Sequence, residues 1–293
     1  MSNTLKDISG RIEPAKISVL RNIRQVADEL GIHFFVMGAF ARDVLFTHIH
    51  GIPTLRATED IDIAVEIASW ETFRSLADTL IGRGYLTATR LPHRFDARFS
   101  PTIVDIVPYG DLSDDLKQIS WPPDHDRIMS VVGFEEAYRS AIRGLISKNP
   151  PLEILVPSIP GLTLLKTISW DDAYPQRKRD AADLLFILKN CETNDTRRRL
   201  YEAHADLLKE EDYDTSIASV RLLGQEIARL CSMKTIRVVK DILTHETDEN
   251  GDLKLLSHMG MGGSFRGNSF ENVLHLLKKL LQGIQDEIQS NIP

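Results

Sequence analysis

Asp60 and Asp62 are separated by one residue and interleaved with Ile61, Ile63 and Val65. Apolar and acidic positions alternating with a period of two predict a strand with one apolar face, and both carboxylates then point to the other face. Paired carboxylates repel and lose hydration unless a cation, a basic group or open solvent compensates. Two hard oxygen donors on one face suit a divalent cation such as Mg2+ or Mn2+. The competing reading is an exposed edge strand carrying solvated acids. Asp105 weighs against it, because Ile103-Val104-Asp105-Ile106-Val107 sets a lone carboxylate inside an apolar run that reads as a central strand, where an unpaired acid is costly. If that strand lies beside the first, Asp60, Asp62 and Asp105 converge on a site for one or two cations shared with triphosphate oxygens.

Gly38 follows the apolar run 33–37 and precedes a helical pattern over 39–46. A residue without Cβ at a strand-to-helix turn lets a phosphate approach the backbone N–H groups of Gly38 and Ala39. Arg42, one turn on, is a candidate phosphate contact; pairing with Asp43 is the alternative.

These residues need elements to position them. Ile17, Leu20, Ile23, Val26, Ala27 and Leu30 predict an amphipathic helix over 14–30, stopped at Gly31. Further strands are expected at 85–89, 94–99 and 102–107, and a helix over 69–81. Pro150, Pro151, Pro157 and Pro160 read as a linker, after which helical periodicity recurs at 161–169, 176–188, 196–208, 215–230, 235–243 and 270–288. The expected fold class is α+β, with a mixed-sheet domain over 1–150 and an all-helical domain over 151–293.

Composition narrows the partners. Of 293 residues 42% are hydrophobic and 26% charged, which is ordinary for a globular chain. A net charge of -7 argues against coating nucleic acid by bulk electrostatics and leaves only a local basic groove for RNA. Cys191 and Cys231 form no Cys-x-x-Cys pair, so a thiolate zinc site is not suggested. With no signal-peptide pattern at Met1 and no apolar run of membrane-spanning length, a cytoplasmic protein without membrane attachment is expected.

In order, Val36-Met-Gly-Ala-Phe-Ala-Arg-Asp43, Thr58-Glu-Asp-Ile-Asp-Ile63 and Ile103-Val-Asp-Ile-Val107 resemble the polymerase β-like nucleotidyltransferase superfamily over roughly residues 30 to 110. The Gly-Ala-x-x-Arg-Asp turn is similar to that of tRNA CCA-adding enzymes, although their nucleotide-selecting motif has no clear match. In the helical half, Lys166, Arg177-Lys-Arg-Asp180 and Asp183 resemble AbiEii-type toxin nucleotidyltransferases, to which the chain as a whole is most similar. That resemblance implies a metal-dependent transferase moving a nucleoside monophosphate from an NTP to RNA, such as a tRNA 3′ end, or to a protein hydroxyl. It further implies that the chain is the toxin of a toxin–antitoxin pair with a cognate antitoxin partner, and that the helical domain completes the active-site cleft. Lys166 would then touch the triphosphate, and Asp180 would act as a base or orient Lys166. Ala39 departs from the pattern, since many members carry Ser or Gly there: a Ser hydroxyl contact to phosphate is lost, and only backbone N–H groups can serve. Two alternatives stay open: a nucleotide-binding regulatory module that has lost transfer, and an aminoglycoside-type antibiotic nucleotidyltransferase with an acidic acceptor pocket.

Arg177-Lys-Arg179 and Arg197-Arg-Arg199 are candidate RNA-backbone contacts, weighed against solvated helix ends. Trp70, Trp121 and Trp170 read as core anchors, with Trp170 a candidate base-stacking residue beside Lys166. Gly260, Gly262, Gly263 and Gly267 read as a linker, because no strand precedes them and dinucleotide-loop spacing fails.

Overall fold

The computed structural model describes residues 5–54, 58–261 and 270–290. Most of the glycine-rich linker, including Gly262, Gly263 and Gly267, lies outside them. The chain divides into two compact units, Met1–Ser158 and Ile159–Pro293.

The first unit is built on a mixed five-stranded sheet. In chain order its strands are β2 (His33–Met37), β3 (Ile61–Glu66), β4 (Leu86–Ala88), β5 (Arg94–Ala97) and β6 (Ile103–Tyr109), laid side by side as β2-β3-β6-β5-β4. The β3 and β6 strands run parallel, and the other pairs antiparallel. A parallel neighbour needs a crossover, and here the crossover carries helix α3 (Trp70–Gly82), whose Ser69 hydroxyl accepts the Thr72 N–H as an N-cap. Helix α1 (Pro14–Glu29) starts with proline, which has no N–H to lose there, and it buries Val19, Leu20, Ile23 and Val26. Its Arg24 lies over the Phe34 ring, which places α1 on the face that Phe34, Val36, Ile61, Ile63 and Val65 share by register. On the opposite face, helix α4 (Phe134–Arg139) sets Phe134 and Tyr138 against Phe35 and Tyr109.

Helix α2 (Gly38–Asp43) leaves β2 directly and widens into a π-helix over Val44–Ile49, so the helix expected at 39–46 runs longer and changes pitch. Strands β7 (Gln118–Trp121) and β8 (Arg127–Ser130) form a separate hairpin. The proline-rich linker expected from Pro150 is a correction: β10 (Pro151–Val156) pairs antiparallel with β9 (Ile142–Lys148), which in turn pairs with β1 (Lys6–Asp7). Proline is tolerated because Pro151 opens its strand and Pro157 follows the last ladder residue.

The second unit holds α5 (Ile159–Asp172), α6 (Lys178–Asn190), α7 (Asn194–Ala203), α8 (Ala205–Glu210), α9 (Thr215–Leu230), α10 (Met233–Glu246), α11 (Lys254–Gly260) and α12 (Phe270–Ser290). The architecture is therefore α+β, with mixed sheets in the N-terminal half and helices in the C-terminal half. The single helix expected over 196–208 is broken at His204, whose backbone leaves helical geometry. That bend lets Leu200, Leu207 and Leu208 join one cluster with Ala218 and Leu222 of α9.

Helices α9 and α12 cross at two glycines. A Cβ on Gly224 would collide with the Leu280 carbonyl oxygen, and one on Gly283 with that of Arg221. Backbone cannot yield as a flexible side chain does, so Gly224→Ala and Gly283→Ala are each expected to cost roughly 2 kcal/mol or more. Urea unfolding should show a lower midpoint for both variants; unchanged midpoints would mean the crossing is looser than this.

Candidate active site

The carboxylate face of the sheet gathers at one end of β3 and β6. Asp62 and Asp105 are register partners across the parallel pair, and Met37, the last residue of β2, is the partner of Asp62 on its other side. Directly opposed residues on neighbouring strands lie about 5 Å apart and share a face. Asp105 is buried, at 9% exposure, while Asp60 and Asp62 are half-buried. The lone acid of the apolar run is thus inside the sheet, one strand from Asp62.

Gly38 closes the corner. Its φ is +71°, a left-handed backbone that disfavours side chains, and a Cβ there would sit 2.6 Å from Asp62 Cγ. Both the turn geometry and the close approach of Asp62 therefore require glycine. Ala39 follows it half-buried.

Arg94 was not singled out from the sequence, yet by register it shares this face with Asp105. It opens β5 opposite Asp105, and its Nε and Nη2 donate to Asp105 Oδ1 and Oδ2 at 2.9 and 2.7 Å. The fork holds the guanidinium more firmly protonated than an ordinary arginine. Hydrogen bonding to Asp105 is the main cause, partly offset by lost hydration, and the Asp60 and Asp62 charges add to the pull. The signal was available: the hairpin joining the two predicted strands at 94–99 and 102–107 brings a basic residue across from a lone acid.

Among the described residues no three or more His, Cys, Asp and Glu side chains are gathered at metal-holding spacing. The donor types fit a hard divalent cation, with Asp60 and Asp62 presenting carboxylates and Asp105 adjoining. As arranged, Asp105 is engaged by a guanidinium, so the expected three-carboxylate set is two acids beside an acid–arginine pair.

Arg42, expected as a phosphate contact, pairs with the acid beside it. It is buried, and its Nε and Nη2 donate to Asp43 Oδ1 at 3.0 and 2.6 Å, the pairing weighed as the alternative. A buried guanidinium needs its counter-charge close, and the adjacent residue supplies it.

A pocket of about 180 Å3 lies along the α2 face that carries Phe40 and Asp43, and is also lined by Arg11, Glu13, Lys16 and His48. Its cations are engaged: Lys16 Nζ donates to the Thr58 carbonyl at 2.7 Å and lies 3.2 Å from Glu13, and Arg11 Nη1 donates to the His48 carbonyl at 2.6 Å. Burial lowers the His48 pKa, Asp43 working against the shift.

In the second unit, Lys166 on α5 lies between two acids of α6, with Nζ 2.6 Å from Asp180 Oδ1 and 2.8 Å from Asp183 Oδ2. Ser169 donates to the other Asp180 oxygen at 3.0 Å. All three charged residues are buried. Burial alone would lower the lysine pKa, but the two carboxylates outweigh it and raise the value. Lys166 is therefore a cation closed in by two carboxylates. The arginine run is likewise committed: Arg197 pairs with Glu192, Arg198 with Asp195 and Glu202, and Arg199 with Asp195 and Glu226. Trp170 is 1% exposed and donates to His258 Nδ1, so it anchors the core and is not placed to stack a base.

No family model matches the chain, and no curated protein does. Three solved structures illustrate what it aligns with. The antibiotic-resistance factor ANT(2'')-Ia aligns at 14% identity and a TM-score of 0.37, covering 69% of this chain and 99% of that one. An antigenic nucleotidyltransferase-like protein from Paracoccidioides brasiliensis aligns at 17% identity and 0.37, covering 70% and 91%. A Thermotoga maritima CCA-adding enzyme complexed with tRNA aligns at 14% identity and 0.30, covering 96% and 83%. At these scores the alignments carry no weight for function, which has to rest on the residues themselves.

Two outcomes follow. Gly38→Ala should destabilise the chain by about 1 to 3 kcal/mol through the strained φ and the collision with Asp62, visible as a lower melting temperature. Lys166→Met leaves two buried acids without their cation and should cost about 3 to 5 kcal/mol. Because the folded-state Lys166 pKa is raised, its contribution should be complete at neutral pH and lost only as pH climbs beyond the ordinary lysine value of 10.5. Stability curves of wild type and variant that coincide at neutral pH would contradict this.

Proposed function

We propose that this chain is a metal-dependent nucleotidyltransferase that moves a nucleoside monophosphate from an NTP to a hydroxyl acceptor and releases pyrophosphate. The observation that carries the proposal is the lateral pairing of Asp62 with Asp105 on one sheet face, at the corner formed by Gly38. Edge-strand acids would need no neighbour of like charge and no glycine packed against them.

In this reading Asp60 and Asp62 hold Mg2+ or Mn2+, which when bound neutralises charge building on the triphosphate. The backbone N–H groups of Gly38 and Ala39 receive the outer phosphates, and Gly38 keeps Asp62 in place by leaving it room. Asp105, one strand over, would join them as a ligand once Arg94 gives it up, and the cation it helps to hold would lower the pKa of the acceptor hydroxyl, whose proton leaves to solvent. The new bond joins the acceptor oxygen to the α-phosphorus, and the bond from that phosphorus to the bridging oxygen of pyrophosphate breaks.

The acceptor in this proposal is an RNA 3′ end, tRNA foremost, or a protein hydroxyl, and the biological role is that of an AbiEii-type toxin held in check by an antitoxin in the cytoplasm. Support comes from the resemblance of Lys166, Asp180 and Asp183 to that family's pattern and from their assembly into one buried cluster. An aminoglycoside acceptor would instead call for an acidic pocket open to amines. A second reading has its own observation: Arg94 on Asp105 and the missing side-chain oxygen at Ala39 favour a module that binds nucleotide without transferring it.

Purified chain with Mg2+, each labelled NTP in turn and total RNA should incorporate label and release pyrophosphate, and Asp62→Ala should reduce incorporation by at least 100-fold, about 3 kcal/mol of transition-state stabilisation. Saturable NTP binding without pyrophosphate release would favour the module, and equal labelling by wild type and Asp62→Ala would end the transferase proposal.

A further inference from the structure

The carboxylate face already has a cation seated on it. Asp60, Asp62 and Asp105 bring three formal negative charges to one end of β3 and β6, and the Arg94 guanidinium answers one of them through a two-pronged bond to Asp105. Asp105 is buried, whereas the Arg94 side chain is 37% exposed, so one partner is fixed in the sheet and the other reaches it from the solvent side. A divalent cation ligated by Asp105 would sit about 2 to 2.5 Å from its oxygens. The guanidinium nitrogens are 2.7 and 2.9 Å from those same oxygens, so cation and arginine would face each other as like charges across one carboxylate.

We propose that Arg94 is a built-in counter-ion that holds Asp105 in place of a divalent cation and must release it before Asp105 can ligate one. The inference rests on the reading of Asp60 and Asp62 as a metal–nucleotide site. Arg94 is then a positioning residue: it keeps Asp105 charged, ordered and aimed at the site while no cation is there. Its partly exposed side chain gives it somewhere to go. A guanidinium displaced from a carboxylate is matched by phosphate oxygens, which accept the same planar fork. A cation alone therefore has to overcome Arg94, whereas a cation arriving with a triphosphate brings the anion that the freed arginine needs. Binding of the two is cooperative for that reason, without any movement of the sheet.

The test is Mn2+ binding to the purified full chain, followed by the electron paramagnetic resonance signal of the free ion, with no nucleotide present. Arg94→Gln should bind Mn2+ about tenfold more tightly than wild type, the loss of roughly 1.4 kcal/mol of competition, and Asp62→Asn should bind it weakly in either background. The rise in melting temperature on adding Mn2+ should be larger for Arg94→Gln than for wild type, a difference that a purely structural arginine would not produce. Should Arg94→Gln fail to fold, Arg94→Lys keeps the charge, loses the fork, and should still bind Mn2+ more tightly than wild type. Equal Mn2+ affinity in wild type and the Arg94 variants, with loss in Asp62→Asn, overturns the counter-ion and leaves the metal site standing. Absence of saturable Mn2+ binding in every protein overturns both.

Discussion

Carboxylates on neighbouring strands cannot be left to themselves, and that constraint organises the first unit. Asp62 and Asp105 lie side by side on a sheet whose other face is sealed by Phe34, Val36, Ile61, Ile63 and Val65 beneath α1. The register is consequently pinned. A slip of one residue in β3 would drive Asp62 into the apolar layer and turn Ile63 outward, and each misplacement is costly. What remains is a face where negative charge accumulates and must be compensated from the solvent side. Arg94 does this for Asp105, and Gly38 gives Asp62 the space a side chain would take.

The second unit obeys the same rule by a different route. Lys166 is closed in by Asp180 and Asp183, where taking a charge out of water is tolerable only with opposite charge in contact. Arg221 is similarly tied to Glu211 and Asp286, and Lys279 to Glu211. Pairing also engages one of the runs that read as basic patches: Arg197, Arg198 and Arg199 each have acids within ion-pair distance on the same or a neighbouring element. A chain of net charge -7 has acids to spare for this.

Catalysis by such a face depends on how firmly its side chains are held. Asp105 is fixed by a fork and by burial, Asp62 by the glycine corner and two neighbouring strands, and Asp60 lies just before β3, outside its ladder. The three acids are thus held with different stiffness. A site that assembles around an incoming charged ligand needs this gradient, with a rigid floor and a more adaptable rim.

Local chemistry was legible in the sequence because it is short-ranged. Alternation of apolar and acidic residues marked β3, helical spacing marked α1 and α9, and glycine at a strand end marked the corner at Gly38, each within a few residues. The same local logic misread Pro150–Pro160, since proline at the opening of a strand resembles proline in a linker until the partner strand β9 is known. Tertiary structure decided which neighbour the other charges meet: Arg94 for Asp105, and Asp180 and Asp183 for Lys166. Secondary structure follows from backbone preferences and periodicity along the chain. Ion pairing follows from distances of a few ångströms between residues far apart or on different strands, and only the folded arrangement sets those distances.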